Sequence, residues 1–81
     1  MDTDQILEGL KDFSRDMDWI YENQDQLRKE YPNKYVAVMN LKVIDSDPDL
    51  QNLIRKLKEK GKNPGEIPIE YISEEPTRLI L

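Results

Sequence analysis

The residues best placed to do chemistry are the carboxylates of Asp45-Ser46-Asp47-Pro48-Asp49, which fall at alternate positions as in the opening of a calcium-binding loop. A hard cation of that kind needs oxygens converging from one loop, with glycine at its sixth position and a bidentate glutamate at its twelfth. Counted from Asp45, the sixth residue is Leu50, the twelfth is Lys56, and Pro48 signals a helix start. The run therefore reads as helix capping, and neither a metal site nor a cofactor is expected. Ser14, Ser46 and Thr77 offer hydroxyls, and several Tyr and Lys residues are present, but the chain has no His and no Cys. It thus lacks the commonest general base, the commonest transition-metal ligand and any thiolate. Glu74 and Glu75 are neighbours, but in an extended segment they point to opposite sides. No catalytic residue is expected, and the chain is read as a non-enzyme.

A second candidate is a basic cluster. Arg55, Lys56, Lys58, Lys60 and Lys62, together with Arg28, Lys29 and Lys34, would form a phosphate-binding surface if the ends of two helices lay side by side. Basic residues near a helix C-terminus already complement the helix dipole, and few aromatics are available to stack bases. Nucleic-acid binding through the basic end of the second helix is therefore the alternative reading. The opposite charge dominates the start of the chain. Residues 1–27 hold eight acids (Asp2, Asp4, Glu8, Asp12, Asp16, Asp18, Glu22, Asp25) against Lys11 and Arg15, within an overall net charge of -5. Such a segment repels nucleic acid and steers basic partners, although most charge runs are solvated helix faces.

The elements that position these residues follow from the apolar period. Phe13, Met17, Ile20, Gln24, Leu27 and Tyr31 fall on one helical line, which predicts a helix over about 15–31 capped by Ser14 and stopped by Pro32. Ile6, Leu7 and Leu10 make a shorter helix before it, with residues 1–12 expected to fray. Across Tyr31-Pro32 the period changes. Tyr35-Val36-Ala37-Val38-Met39 and Val43-Ile44 read as a hairpin. Leu41 disfavours positive φ, so a loop of three or four residues is expected in place of a two-residue turn. Asp47-Pro48-Asp49 opens a helix carrying Leu50, Leu53, Ile54 and Leu57, and Gly61 closes it.

A third strand, Ile67 to Ile72, contains Pro68, which cannot donate to a ladder and so indicates an edge. The fold class is α+β, β-β-α-β with a three-stranded sheet of order 2-1-3, preceded by an amphipathic N-terminal helix. Both helices are expected on one face of the sheet, leaving the other face open. Residues 1–81 make a single small domain, with 74–81 as a tail or short extra strand.

These residues resemble a known family. Trp19, Asn23, Leu27, Tyr31-Pro32, Tyr35-Val36-Ala37-Val38, Val43-Ile44, a Leu-rich helix ending in Lys-Gly, and a closing Ile-Pro-Ile-Glu-Tyr-Ile strand are similar to a small uncharacterised archaeal and bacterial domain family over about residues 13–76. Members typically carry an Asn-Gly-Lys-like hairpin, where this chain has Leu41. The resemblance implies the fold and assigns no activity.

A protein-interaction or regulatory module is the reading that remains, with an unidentified protein or a second copy as partner. The expected contact residues are Trp19 on the flank of the first helix, Pro68 and Glu70 on the edge strand and open face, and the apolar end Leu79, Ile80 and Leu81. No apolar run approaches a membrane span, and the acidic N-terminus lacks the features of a signal peptide, so a cytoplasmic location is expected.

Overall fold

Pro32 stops the helical part of the chain and hands it to a strand period, as the sequence predicts. A computed structural model describes residues 3–74, with side chains from residue 11 onward. In order, the elements are α1 (Thr3–Glu22), α2 (Gln24–Glu30), β1 (Lys34–Met39), β2 (Lys42–Asp47), α3 (Leu50–Glu59), a 3₁₀ turn at Pro64–Glu66, and β3 (Ile69–Ile72). β1 pairs antiparallel with both neighbours, giving the order β2-β1-β3.

The first helix divides differently from expectation. It runs unbroken through Ser14 and breaks at Asn23, where φ is -112° and ψ is 23°. The cause is local: the Asn23 side-chain amide donates to the Trp19 carbonyl at 2.8 Å, competing with the helical ladder. One residue later the chain resumes as α2.

The hairpin also departs from expectation. Asn40 and Leu41 both adopt positive φ, 53° and 60°, and Met39 pairs with Lys42, so the connection is a two-residue type I′ turn. That geometry follows the strand twist, and here it overrides leucine's dislike of the left-handed region. Between Ala37 and Val38 the pairing slips by one residue, so that Ile44 is the extra residue of a β-bulge.

α3 begins two residues later than expected. Asp49 is its N-cap, accepting from the Gln51 N–H at 2.9 Å, while Asp47 accepts from the Asp49 N–H at 2.8 Å. Its end is as expected. Gly61, at φ 76°, donates to Lys58 O at 3.0 Å, and Lys62 donates to Leu57 O at 2.9 Å, the double bond of a Schellman cap.

The helices do not share a face. Ile20, Leu27, Val36, Val38 and Ile72 form one core with Met17, Trp19, Tyr31 and Val43. Ala37, Leu53, Leu57 and Ile67 form a second with Tyr35, Met39, Ile44 and Ile69. The residues of β1 alternate between the two, and Val36, Ala37 and Val38 are each 0% exposed. The sheet is therefore the middle of three layers, with α1–α2 above and α3 below. The correction has a simple reason: a strand with three successive buried apolar residues needs cover on both faces.

Ile20→Ala and Leu53→Ala empty one core each, and each is expected to lower unfolding stability by about 2–5 kcal/mol in urea titrations. Tolerance of either at under about 1 kcal/mol would contradict two separate essential cores.

Candidate interaction surface

The site is built from the helix that the sheet is too short to cover. Residues 11–15 of α1 are all exposed, Phe13 at 37%. Five exposed residues in succession exceed one turn, so at that level every side of α1 is open to water. One turn on, Met17 and Ile20 reach the upper core. The root of the overhang is Asp16, 4% exposed, whose Oδ1 accepts from the Leu41 N–H at 3.0 Å. Asp16 thereby ties α1 to the hairpin turn, and the part of α1 before it extends past the end of the sheet. The overhang, Thr3 to Arg15, is about 20 Å long. The molecule is correspondingly elongated, 48 × 28 × 20 Å.

Leu41 is exposed at 42%, beside that root, in a backbone conformation that costs a leucine about 1–2 kcal/mol. The Asp16 carboxylate offsets that strain by satisfying the turn's N–H. Sequence reasoning placed Phe13 in the core and Leu41 in a longer loop, so it missed both as surface residues. One signal was present: the apolar line of the first helix is longer than any strand it could cover.

The alternating acids are committed elsewhere. Lys56 Nζ donates to Ser46 O at 2.7 Å and lies 3.0 Å from Asp45 Oδ1 and 3.3 Å from Asp47 Oδ2. Lys60 Nζ reaches the other Asp45 oxygen at 2.9 Å, and Asn52 Nδ2 donates to Asp47 Oδ2 at 2.6 Å. Burial pushes the Asp45 carboxyl up, but hydrogen bonds from Lys60, Lys56 and the Ser46 N–H outweigh it and hold the group below its usual range. The Asp49 N–H, followed by Asn52 and Lys56, does the same for Asp47. Lys56 is raised, chiefly by its bond to Asp45. The cluster is a cradle for a lysine ammonium that fastens β2 to α3.

The two basic groups do not meet. α2 ends where β1 begins, whereas α3 starts at that end, on the other face, and finishes toward the hairpin. Arg28 is engaged by Asp25 at 2.7 Å, and Lys56 and Lys60 are held in the cradle. The surface required by the nucleic-acid alternative is not assembled.

Trp19 is half-buried and packs at the edge of the upper core. Pro68 is buried just before β3, its carbonyl accepting from the Val38 N–H at 3.1 Å, so its ring faces the chain's own interior. Glu70 pairs with Val36 and is half-buried, on the face that α1 and α2 cover, so the open face expected for it does not exist. Leu79, Ile80 and Leu81 lie outside the described residues. Tyr71, 48% exposed, stacks edge-on against Tyr35 with ring centroids 4.9 Å apart.

A family model described as a family of unknown function, DUF5678, matches residues 26–75, which takes in the sheet, α3 and most of α2 and leaves α1 outside. No curated protein and no solved structure matches the chain.

Leu41→Gly is expected to raise stability by about 1 kcal/mol by releasing the left-handed strain, and Asp16→Ala to lower it by about 1–3 kcal/mol by orphaning the turn N–H. Thermal unfolding of both checks this, and a destabilised Leu41→Gly protein would remove the strain argument. For the cradle, lowered Asp45 and Asp47 bind fewer protons folded than unfolded, so their contribution is intact above about pH 4 and lost as pH falls through the folded values. The raised Lys56 loses its share only above about pH 10.5. Lys56→Met should therefore lower the urea midpoint at neutral pH and flatten its fall on acidification; an acid limb as steep as in the parent would refute the linkage.

Proposed function

This chain belongs to the DUF5678 family, whose function is unknown, and on that premise we propose that it is a non-catalytic protein-interaction module that docks its partner on the N-terminal half of α1. The observation that carries the reading is the overhang: a helix whose residues 11–15 are all exposed, Phe13 among them, with Ile6 and Leu10 on the same line by helical period. An isolated helix of about 13 residues is marginal in water, so its apolar line gains from a cover. The matched part of the chain supplies the scaffold, and the overhang lies outside the match.

Composition supports the non-catalytic part of the reading. The chain has neither His nor Cys, and the acid pair Asp45 and Asp47 is occupied by Lys56. The setting proposed is cytoplasmic. Among the described residues no helix is long and apolar enough to cross a membrane.

A photo-crosslinking residue placed at Phe13 of the full chain should give a specific protein adduct in cell extract, and the same residue at exposed Lys58 on α3 should not. No adduct at Phe13, or equal adducts at both positions, would count against the reading.

A further inference from the structure

We propose that the outer edge of β3 is closed by residues 77–81 of the same molecule, Thr-Arg-Leu-Ile-Leu, which add a fourth antiparallel strand to the sheet. The inference is independent of the docking role assigned to α1. It starts from the described edge. In an antiparallel sheet the backbone groups of successive residues face the two neighbours alternately, and Pro68 O accepts from the Val38 N–H at 3.1 Å, so Pro68, Glu70 and Ile72 turn toward β1. Ile69 and Tyr71 turn the other way, where no described residue pairs with them. Such an edge is a template for one more strand.

The two sides of the edge differ in character. Ile69 and Tyr71 lie on the lower side, opposite Ala37 and Tyr35, and Tyr71 is 48% exposed and belongs to neither core. Glu70 lies on the upper side, half-buried, with no ion pair among the described residues. A strand that fits must therefore bring apolar residues below and a cation above. In an extended 77–81 segment, Leu79 and Leu81 share one side, while Arg78 and Ile80 share the other. With the leucines beside Ile69 and Tyr71, Arg78 comes to the side of Glu70, as an opposite-charge cross-strand pair.

The connection has the reach. Asn33 Nδ2 donates to Glu74 Oε2 at 3.2 Å, and the Glu74 N–H donates back to Asn33 Oδ1 at 3.2 Å. The chain is thus clasped just past the end of β3, with only Glu75 and Pro76 before the segment. Connections of this length are ordinary in hairpins. Five extended residues span about 17 Å, enough to line the roughly 13 Å of β3. Tethered so closely, the segment meets the edge at an effective concentration in the millimolar range. A second copy paired through the same edge would instead bring together two domains of net charge -5. Closure by the chain itself also withholds β3 from edge-to-edge association.

Amide hydrogen exchange read by NMR on the full chain tests the proposal. The Ile69 and Tyr71 amides should be protected, equally at low and high protein concentration. Leu79→Asp combined with Leu81→Asp, at sites outside both cores, should speed their exchange at least about tenfold and leave the Glu70 amide, which faces β1, unchanged. Arg78→Glu should speed exchange by about two- to fivefold, and Glu70→Arg added to it should restore protection. Fast exchange of Ile69 and Tyr71 in the parent chain overturns the proposal. So does protection that survives the double substitution, which would mean another cover, or protection that grows with concentration, which would mean a second copy.

Discussion

Every other element depends on the burial of β1 from both sides. Val36, Ala37 and Val38 are adjacent in sequence, point alternately up and down, and are all withdrawn from water. A strand in that state must have a neighbour at each edge and a layer over each face. An 81-residue chain can meet all four demands only by using nearly every element once. β2 and β3 supply the edges, α1 and α2 the upper layer, α3 the lower. The lower layer is only ten residues long, so Leu53 and Leu57 carry most of its cover. The economy explains why no face of the sheet is left over for binding.

The polar groups between layers hold the layers together, although their residue types alone suggest chemistry. Asp16 and the Asp45–Asp47 pair are the most enclosed acids of known surroundings, and each is turned to a donor from another element. In both places a charge bridges a joint that apolar packing alone would leave free to slide: helix to turn above, strand to helix below. Lys56 is suited to its place because three donors on one ammonium meet three acceptors from one strand end. With these groups accounted for, residues 11–15 of α1 stand out among the described side chains as an exposed stretch that neither core uses.

How far this was legible varies with the range of the interaction responsible. The Tyr31-Pro32 stop and the Gly61 cap depend on residues within one turn, and both read correctly from the sequence. Strand order followed from Pro68 and connection lengths. The turn at Asn40-Leu41 was misread because its stabilising carboxylate, Asp16, is 25 positions away. The two-sided sheet was misread although Val36-Ala37-Val38 signalled it: an unbroken apolar run marks a strand buried on both faces, an alternating one a strand buried on one. The overhang was hidden for a different reason. A helical period states which side of a helix is apolar and is silent about how much of that side finds a surface, so Phe13 looked like core.

The bulge at Ile44 sets a rule of length for the hairpin. In a regular ladder Asp45 would share its side of β2 with Val43, which sits in the upper core. The extra residue breaks that alternation, sending Val43 upward while Ile44 and Asp45 both serve the lower side, one in apolar packing and one against Lys56 and Lys60. Substitution at Ile44 by another apolar residue leaves this division intact. Removing Ile44 itself does too, since Val43 stays opposite Val38 and Asp45 opposite Ala37 in a regular ladder, and only the apolar contact of Ile44 on the lower side is lost. In descendants of this chain, the bulge is therefore the place where β2 can lose a residue while its neighbours keep their sides, whereas a loss between Asp45 and Asp47 shifts the acids against Lys56.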